Sequence, residues 1–345
     1  PKVGLLTFPG AARVGQLRVV DIGLPNGLVE EEQIPLELLT APWVGHHLPP
    51  RLLDSHKGTF GHALVVAGSR SYAGAAYLAA QAAVRVGAGL VTLAAPQGIY
   101  PIVASKLTEV IHLPLPEDAE GQIHPDAARL VRDNLSRYSS LAVGCGLGRL
   151  LGTTQFLERL LLSEPRPALP TGVDADGLNS LSRLPDWWQR LGEQVALTPH
   201  PGEMATLAST SIAQVQQDRI ATARQWATRW NTTLVLKGAH TVVAEPGGLV
   251  RVSPFANAAL ASGGTGDVLT GIIAGLMAQG LTAYEATCCG VYLHGQAAEA
   301  VRRVRGDTGT LASDLIERLP ETISQIRQAQ GPPGVGNMSN LSPPS

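Results

Sequence analysis

The sequence predicts an α/β fold of three layers, in which a mainly parallel central sheet is covered by helices on both faces. From about residue 57 onwards, short apolar runs alternate with longer segments of helical periodicity. Many of the short runs lead directly into loops that contain Gly or Pro. Strands that alternate with helices are typical of parallel sheets, whose ligands bind outside the carboxyl ends of the strands.

The individual elements follow from apolar runs and from residues that end helices. We predict strands at 63–67, 90–94, 141–143, 195–197 and 233–236, and a hairpin of 241–244 with 249–252. We predict helices over 73–86, 268–279 and 287–303. Gly87 and Gly280 stand where a helix commonly ends, because glycine adopts the left-handed conformation required there.

The first 50 residues differ from the rest because six prolines interrupt their apolar runs. We predict one or two strands over 1–25, a linker over 26–50, a folded domain over 51–330 and a disordered tail over 331–345. The chain begins with Pro in place of Met. We therefore expect a fragment or a processed product.

Composition excludes several classes of partner. Of 345 residues, 44% are hydrophobic and 16% charged, with a net charge of −2. This balance gives no reason to expect nucleic acid or a membrane surface, and no apolar run reaches the length of a membrane span. The three cysteines form no disulfide or metal-binding pattern, so we expect a reducing, cytoplasmic setting.

The strongest motif is Ser262–Asp267 (SGGTGD), directly before a predicted helix. Consecutive glycines let backbone N–H groups, including those of Gly264 and Thr265, approach a phosphate, and the helix N-terminus adds positive dipole. Asp267 would repel that phosphate unless it acts on a proton or a metal. The alternative is that Asp267 only stabilises the helix N-terminus.

Two further loops follow predicted strands. In Lys237–Thr241 (KGAHT), the Lys could contact nucleotide phosphates, or it could be solvated in an ordinary turn. In Thr198–Glu203 (TPHPGE), two prolines fix the loop. There His200 could bond a substrate, and Glu203 could hold Mg²⁺ through water or be an exposed carboxylate at a helix start.

Weaker signals surround these motifs. Gly144–Gly148 (GCGLG) predicts a tight turn that exposes backbone to a ligand, and Asp174–Asn179 (DADGLN) is a turn or a site. His56–Gly61, together with Gly68, Ser69 and Gly74–Ala76, suggests a second ligand-facing surface at the start of the helix over 73–86.

Taken together and in this order, the motifs resemble the NAD(P)H-hydrate dehydratase family of the ribokinase-like superfamily. The resemblance runs from about His56 to Leu319 and includes HKGTFGHALVVAGS, GAGLVTLA, GCGLG, DADGLN, LTPHPGE, VLKGAHT and NAALASGGTGDVLTG. It implies a ribokinase-like three-layer α/β/α sandwich. The loop GCGLG departs from the pattern, because Cys145 stands where such loops often carry Pro. The run 168–173 is poor in β-branched residues, so we expect irregular structure there.

The resemblance also implies a reaction. Members of this family dehydrate the S form of hydrated NADH or NADPH with ADP or ATP, releasing AMP or ADP and phosphate. We expect Mg²⁺ to be required, because nucleotide phosphates need charge neutralisation during transfer, and we expect it at Glu203 from the loop chemistry above. Carried onto this sequence, the AMP moiety is expected at Lys237, Gly238, Ala239, His240, Thr241 and Gly266. The hydrate is expected at Ala75, Gly146, His200 and Asp267, with Asp267 as the catalytic base.

Residues 1–25 resemble the last strands of an NAD(P)H-hydrate epimerase domain, so we expect the parent protein to be bifunctional. The site motifs all lie beyond His56, and we expect deletion of residues 1–25 to leave dehydration intact. A homo-oligomer is compatible with the resemblance. Two other functions stay open: a kinase of the hydroxymethylpyrimidine or hydroxyethylthiazole type, and a nucleotide-binding module without turnover.

Overall fold

The computed structural model describes residues 2–15, 17, 18, 20, 23 and 34–329. The predicted tail over 331–345 lies outside the described residues, as do residues 24–33. The strand-like run Val19–Ile22 is described only at Val20, so its predicted structure is not tested.

Within the described residues, ten strands form one sheet that positions everything else. They are β1 Leu36–Leu38, β2 His62–Val66, β3 Leu90–Pro96, β4 Ile111–Leu115, β5 Ser140–Val143, β6 Thr171–Val173, β7 Val195–Leu197, β8 Thr233–Leu236, β9 Val242–Ala244 and β10 Val250–Val252. Their spatial order is β1-β10-β9-β8-β7-β6-β5-β2-β3-β4. Only β9 runs antiparallel to its neighbours among these strands, so the predicted mainly parallel sheet is confirmed.

Helices cover the sheet on both faces. The α-helices of the described residues are α1 Ala41–His47, α2 Ala73–Arg85, α3 Tyr100–Ala104, α4 Ala127–Arg132, α5 Leu151–Leu157, α6 Asp176–Leu181, α7 Pro201–Leu207, α8 Ile212–Gln217, α9 Arg219–Trp230, α10 Thr265–Ala278, α11 Ala283–Arg305 and α12 Ala312–Gln328. One layer contains α1, α2, α10, α11 and α12, and the other contains α4 to α9. No helix among the described residues is long and apolar enough to cross a lipid bilayer.

Strand β2 shows why both layers are needed. Ala63 and Val65 pack into the cluster that includes α2, while Leu64 and Val66 pack into the cluster on the opposite face. All four side chains are buried, because successive residues of a strand point to opposite faces of the sheet. The continuous apolar run of this strand is therefore typical of a sheet covered on two sides.

The structure moves several boundaries. Helix α10 begins at Thr265, inside the glycine-rich loop, and not at residue 268 as predicted. Helix α11 begins at Ala283, before the predicted 287, because Thr282 and Glu285 form a capping box. The run 171–173, expected to be irregular, is the regular buried strand β6.

The predicted linker over 26–50 contains ordered elements in its described part. Strand β1 pairs in parallel register with β10, from Leu36 opposite Val250 to Leu38 opposite Val252. Helix α1 follows, and its Val44 is fully buried in the cluster that includes α11 and α12. The segment from β1 through α1 is therefore part of the folded domain and not a connecting segment.

Candidate active site

The loops predicted to bind ligands meet at one edge of the sheet. Strands β5, β6, β7 and β8 are successive neighbours, and each is parallel to the next. Their carboxyl ends continue into Gly144, Asp174, Thr198 and Lys237, respectively. Residues far apart in the chain are therefore brought together by strand order alone.

A buried ion pair lies at the centre of this edge. Nζ of Lys237 is 2.6 Å from Oδ1 of Asp174, and the carboxylate side chain is only 2% exposed. Burial raises the pKa of Asp174, but the Lys237 ammonium and the hydrogen bonds from Thr270 and Thr198 together outweigh it, and the net pKa is lowered. Burial lowers the pKa of Lys237, but Asp174 and Glu203 outweigh it, so the ammonium stays charged. The reading of Lys237 as a solvated turn residue is therefore wrong.

The second oxygen of Asp174 is bonded as well. Oγ1 of Thr270 donates to Oδ2 of Asp174 at 2.7 Å, and Sγ of Cys145 lies 4.0 Å from the same oxygen. Sequence reasoning missed Thr270, although it lies three residues after Asp267 on the same helix and hence on the same face. The quoted motif NAALASGGTGDVLTG includes Thr270, but a threonine inside a helix carries no signal of its own.

Asp267 occupies the first turn of α10. Burial raises the pKa of its carboxyl to about 6, and the nearby charge of Asp174 contributes in the same direction. The preceding glycines allow close approach. Gly264 has φ +90°, and a β carbon on Gly266 would lie 3.5 Å from Nζ of Lys237. A carboxyl with a pKa near neutrality is suited to accept a proton.

Glu203 is at a helix start, but it is buried and not exposed. Its Oε2 accepts the backbone N–H of His200 at 2.8 Å, and Nδ1 of His200 accepts the N–H groups of Gly202 and Glu203, forming a capping box. Oε2 also lies 3.8 Å from Nζ of Lys237. Burial raises the pKa of Glu203, and Lys237 offsets part of that rise.

A cavity of about 600 Å³ opens beside Lys237. Seven of the predicted site residues line it: His200, Lys237, Gly238, Ala239, Thr241, Thr265 and Gly266. Its lining combines the charged Lys237 and the backbone of Gly266 with apolar side chains such as Phe255, Leu260 and Leu269. A cavity with both charged and apolar lining matches a nucleotide in size and chemistry.

The chain between β8 and β9 adopts unusual backbone conformations. Gly238 has φ +140°, and a β carbon there would lie 2.4 Å from an Arg219 nitrogen. His240 has φ +51°, and its N–H donates to the carbonyl of Phe255 at 2.8 Å. Nδ1–H of His240 donates to the carbonyl of Ser253 at 3.1 Å. These bonds hold the loop rigidly along the cavity, although His240 itself does not line it.

The residues expected to bind the hydrate fall into two places. Ala75 and Gly146 are neighbours, because a β carbon on Gly146 would lie 2.9 Å from that of Ala75 and 2.7 Å from that of Tyr72. Gly146 follows Cys145, which contacts the Asp174 carboxylate, so this pair adjoins the Lys237 side of the site. His200, in contrast, lines the cavity that we associate with the nucleotide.

Asp176 and the segment His56–Gly61, which belong to the two weaker motifs, do not line the cavity beside Lys237. Asp176 accepts the N–H of Gly148 at 3.0 Å and pairs with Arg149 at 3.0 Å, so it fixes a loop. His56–Gly61 precedes β2 and packs against the C-terminal end of α10, where a β carbon on Gly61 would meet the carbonyl of Ala278. This segment lies at the opposite end of the sheet, so its predicted position at the start of α2 is wrong.

The fold and the site define a ribokinase-like α/β protein with a nucleotide-sized cavity beside a glycine-rich helix N-terminus. Comparison with known proteins gives the family. A family model described as NAD(P)H-hydrate dehydratase matches residues 63–321. The chain belongs to this family.

Individual relatives agree with that assignment. The chain is 43% identical over 330 residues to a bifunctional NAD(P)H-hydrate repair enzyme from Moorella thermoacetica, covering 95% of this chain and 61% of that protein. It is 38% identical over 284 residues to an ADP-dependent (S)-NAD(P)H-hydrate dehydratase from Neisseria meningitidis serogroup B, covering 81% of this chain and 90% of that protein. The chain thus spans about three-fifths of the bifunctional relative.

A solved structure supports the fold. The crystal structure of an ADP/ATP-dependent NAD(P)H-hydrate dehydratase from Bacillus subtilis, co-crystallised with ATP and Mg²⁺, has a TM-score of 0.73 and 32% sequence identity. The similarity covers 85% of this chain and 99% of the Bacillus chain. Nearly the whole of that enzyme therefore has a counterpart here.

Proposed function

We propose that this chain dehydrates the S form of hydrated NADH and NADPH, using ADP or ATP and releasing AMP or ADP and phosphate. The observation that carries the proposal is Asp267, a half-buried carboxyl with a pKa of about 6 in the first turn of α10, beside the cavity-lining Gly266. A carboxylate within a phosphate cradle is suited to accept the proton of a hydroxyl that attacks phosphorus.

The cavity is proposed to hold the nucleotide. Its apolar lining residues suit the base, and Lys237, Thr265 and Gly266 suit the phosphates. The rigid loop from Gly238 to Thr241 would run along the nucleotide. Ala75 and Gly146, on the other side of Asp174, would contact the hydrate. Asp267 lies between these two regions and would meet both reactants.

The chemistry accounts for a lyase built on a kinase fold. Asp267 takes the proton of the 6-hydroxyl while the hydroxyl oxygen bonds to the terminal phosphorus of the nucleotide. The bond from that phosphorus to AMP or ADP breaks at the same time. Backbone N–H groups of Gly263 to Gly266 stabilise the charge that develops on the moving group. The lone pair of the ring nitrogen then expels phosphate, and loss of a proton from the adjacent ring carbon restores the dihydronicotinamide.

Magnesium fits the site through water. Among the described residues, no group of three or more His, Cys, Asp or Glu side chains could hold a metal ion by itself. Mg²⁺ usually keeps several waters and is held by one or two carboxylates together with substrate phosphates. Glu203, whose Oε1 lies 3.4 Å from Nε2 of His200, would hold the ion in this way. When bound, the ion would neutralise charge on the nucleotide phosphates.

The wider context is proposed on the same basis. Cys145, Cys288 and Cys289 are buried and free, which suits a reducing compartment such as the cytoplasm. Residues 1–25 are proposed to be the end of an epimerase domain in a bifunctional parent protein. The proposed partners are small molecules, namely the hydrates and ADP or ATP, and the chain could act as a homo-oligomer.

A turnover experiment tests the proposal. The chain is incubated with hydrated NADH or NADPH, Mg²⁺ and either ADP or ATP. Recovery of dihydronicotinamide absorbance should match the phosphate released, mole for mole. A stable phosphorylated hydrate without phosphate release would indicate a kinase, and nucleotide binding without either product would indicate a binding module. Both outcomes would reject the proposal.

A further inference from the structure

One residue that lines the cavity beside Lys237 lies before the part of the chain that the family model matches. The family model begins at residue 63, yet Phe8 lines the same cavity as Lys237, Gly238 and Phe255. Every other cavity-lining residue lies between His200 and Gly295. An aromatic side chain from a distant part of the chain is therefore brought to the candidate nucleotide site.

Phe8 faces a rigid partner. Its ring centroid lies 6.0 Å from that of His240, with the planes inclined at 44°. The His240 ring is held by the hydrogen bond from Nδ1 to the carbonyl of Ser253, and its backbone by the bond to Phe255. Burial lowers the pKa of His240, so the ring is neutral near pH 7 and offers an aromatic and not a cationic surface.

The segment around Phe8 has its own short-range order. It contains two 3₁₀ turns, Val3–Leu5 and Gly10–Arg13, neither of which has a buried residue. Oγ1 of Thr7 donates to the carbonyl of Val3 at 3.2 Å, and the N–H of Ala11 donates to the carbonyl of Thr7 at 2.9 Å. The segment therefore presents Phe8 from a defined turn and does not insert it into the core.

Phe8 keeps an exposed surface that a ligand could cover. The residue remains 58% exposed although it lines the cavity. Lys237 gives the cavity lining a positive charge, whereas Phe8 and Phe255 offer apolar surface that suits an apolar, planar group. Aromatic side chains bind such groups by stacking or edge contacts. The flat face of a purine has the required shape and chemistry.

We propose that Phe8 is a specificity-determining residue that contacts the adenine base of the bound nucleotide, so that residues 2–15 complete a site whose remaining walls belong to the dehydratase fold. This proposal rests on the proposed function, because it takes the cavity as the nucleotide site. It also modifies our expectation for the deletion of residues 1–25: the chemical step is retained, but nucleotide affinity falls.

The test is nucleotide affinity in the full chain. For Phe8→Ala we expect the Kd for AMP and the KM for ADP to rise about 3- to 10-fold, the range of a lost aromatic contact, with kcat unchanged. Phe8→Trp should retain affinity, since it keeps an aromatic surface. Binding of inorganic pyrophosphate, which lacks a base, should be the same in Phe8→Ala and the parent chain.

Leu5→Ala is the matched control, because Leu5 is on the same segment, 37% exposed, and does not line the cavity. It should bind AMP like the parent chain. Equal AMP affinity in Phe8→Ala and the parent would overturn the proposal, as would an equal loss in Leu5→Ala. If the parent chain binds AMP but does not dehydrate the hydrate, the proposed function fails while the test of Phe8 stands.

Discussion

Replacing Asp267 by Asn should separate activity from stability. Burial raises the pKa of Asp267 from an ordinary 3.8 to about 6, so the native state resists its ionisation. One pKa unit corresponds to about 1.4 kcal/mol, so ionisation of Asp267 in the native state lowers the free energy of unfolding by roughly 3 kcal/mol. The favourable interaction of the charge with the helix N-terminus, about 0.3–1 kcal/mol, is lost with it. We expect a net stabilisation of about 2 kcal/mol at pH 8.

The sign of this effect depends on pH. Between pH 3.8 and about 6 the native state binds more protons at Asp267 than the unfolded chain does, so this residue's contribution to stability falls as pH rises through that window. Below the window the carboxyl is protonated in both states. The stabilisation of Asp267→Asn should therefore be present at pH 8 and absent at about pH 3.5.

The assay pairs urea unfolding at several pH values with turnover. Loss of a positioned general base should reduce kcat by about 10²–10⁴-fold, while the affinity for ADP stays similar or improves. In the parent chain, kcat/KM should rise with pH and level off above about pH 6, as Asp267 ionises. A variant that keeps near-full activity would remove Asp267 as the base. A variant that is destabilised at pH 8 would refute the electrostatic argument.

Three further substitutions test neighbouring parts of the site. Glu203→Gln can still accept the His200 N–H, so it should raise the Mg²⁺ concentration for half-maximal turnover without unfolding the chain; unchanged Mg²⁺ dependence would leave Glu203 with its helix-start role alone. Asp174→Asn removes the carboxylate that pairs with the Lys237 ammonium and should lower the free energy of unfolding, measured in urea, by about 3 kcal/mol. It also removes a negative charge that raises the pKa of Asp267, so the pH midpoint of kcat/KM should move downward. Gly146→Ala places a β carbon 2.7 Å from that of Tyr72 and should reduce kcat/KM for the hydrate at least tenfold, with AMP affinity retained in calorimetry.

The sequence was sufficient for the layered fold, because short apolar runs and glycine-terminated helices depend on local residues. Strand β2 and the hairpin of β9 and β10 were predicted to within a residue or two. Motif order also indicated the cluster that contains Lys237. Local patterns alone could not predict which loops lie side by side, since that depends on the order of the strands in the sheet.

What the sequence did not predict was set by tertiary contacts. Asp174 was left open as a turn or a site, yet its contact with Lys237 follows from a sheet order in which β6 and β8 lie on either side of β7 and end at the same edge. Thr270 was overlooked because a helix-interior Thr carries no motif. Phe8 was overlooked because about 190 residues separate it from the nearest cavity-lining residue along the chain.

The charges around Lys237 show why backbone N–H groups and a metal ion are needed to balance the charge of a bound nucleotide. The carboxylates of Asp174, Glu203 and Asp267 surround a single ammonium, and an anionic nucleotide would add to that negative charge. Lys237 is paired with Asp174, so it shares its positive charge between that carboxylate and the phosphates that it is proposed to contact. The glycine N–H groups at the start of α10 and a water-coordinated Mg²⁺ can supply the remainder. Burial, together with the negative charge of Asp174, raises the pKa of Asp267 to about 6, which suits a base near neutral pH.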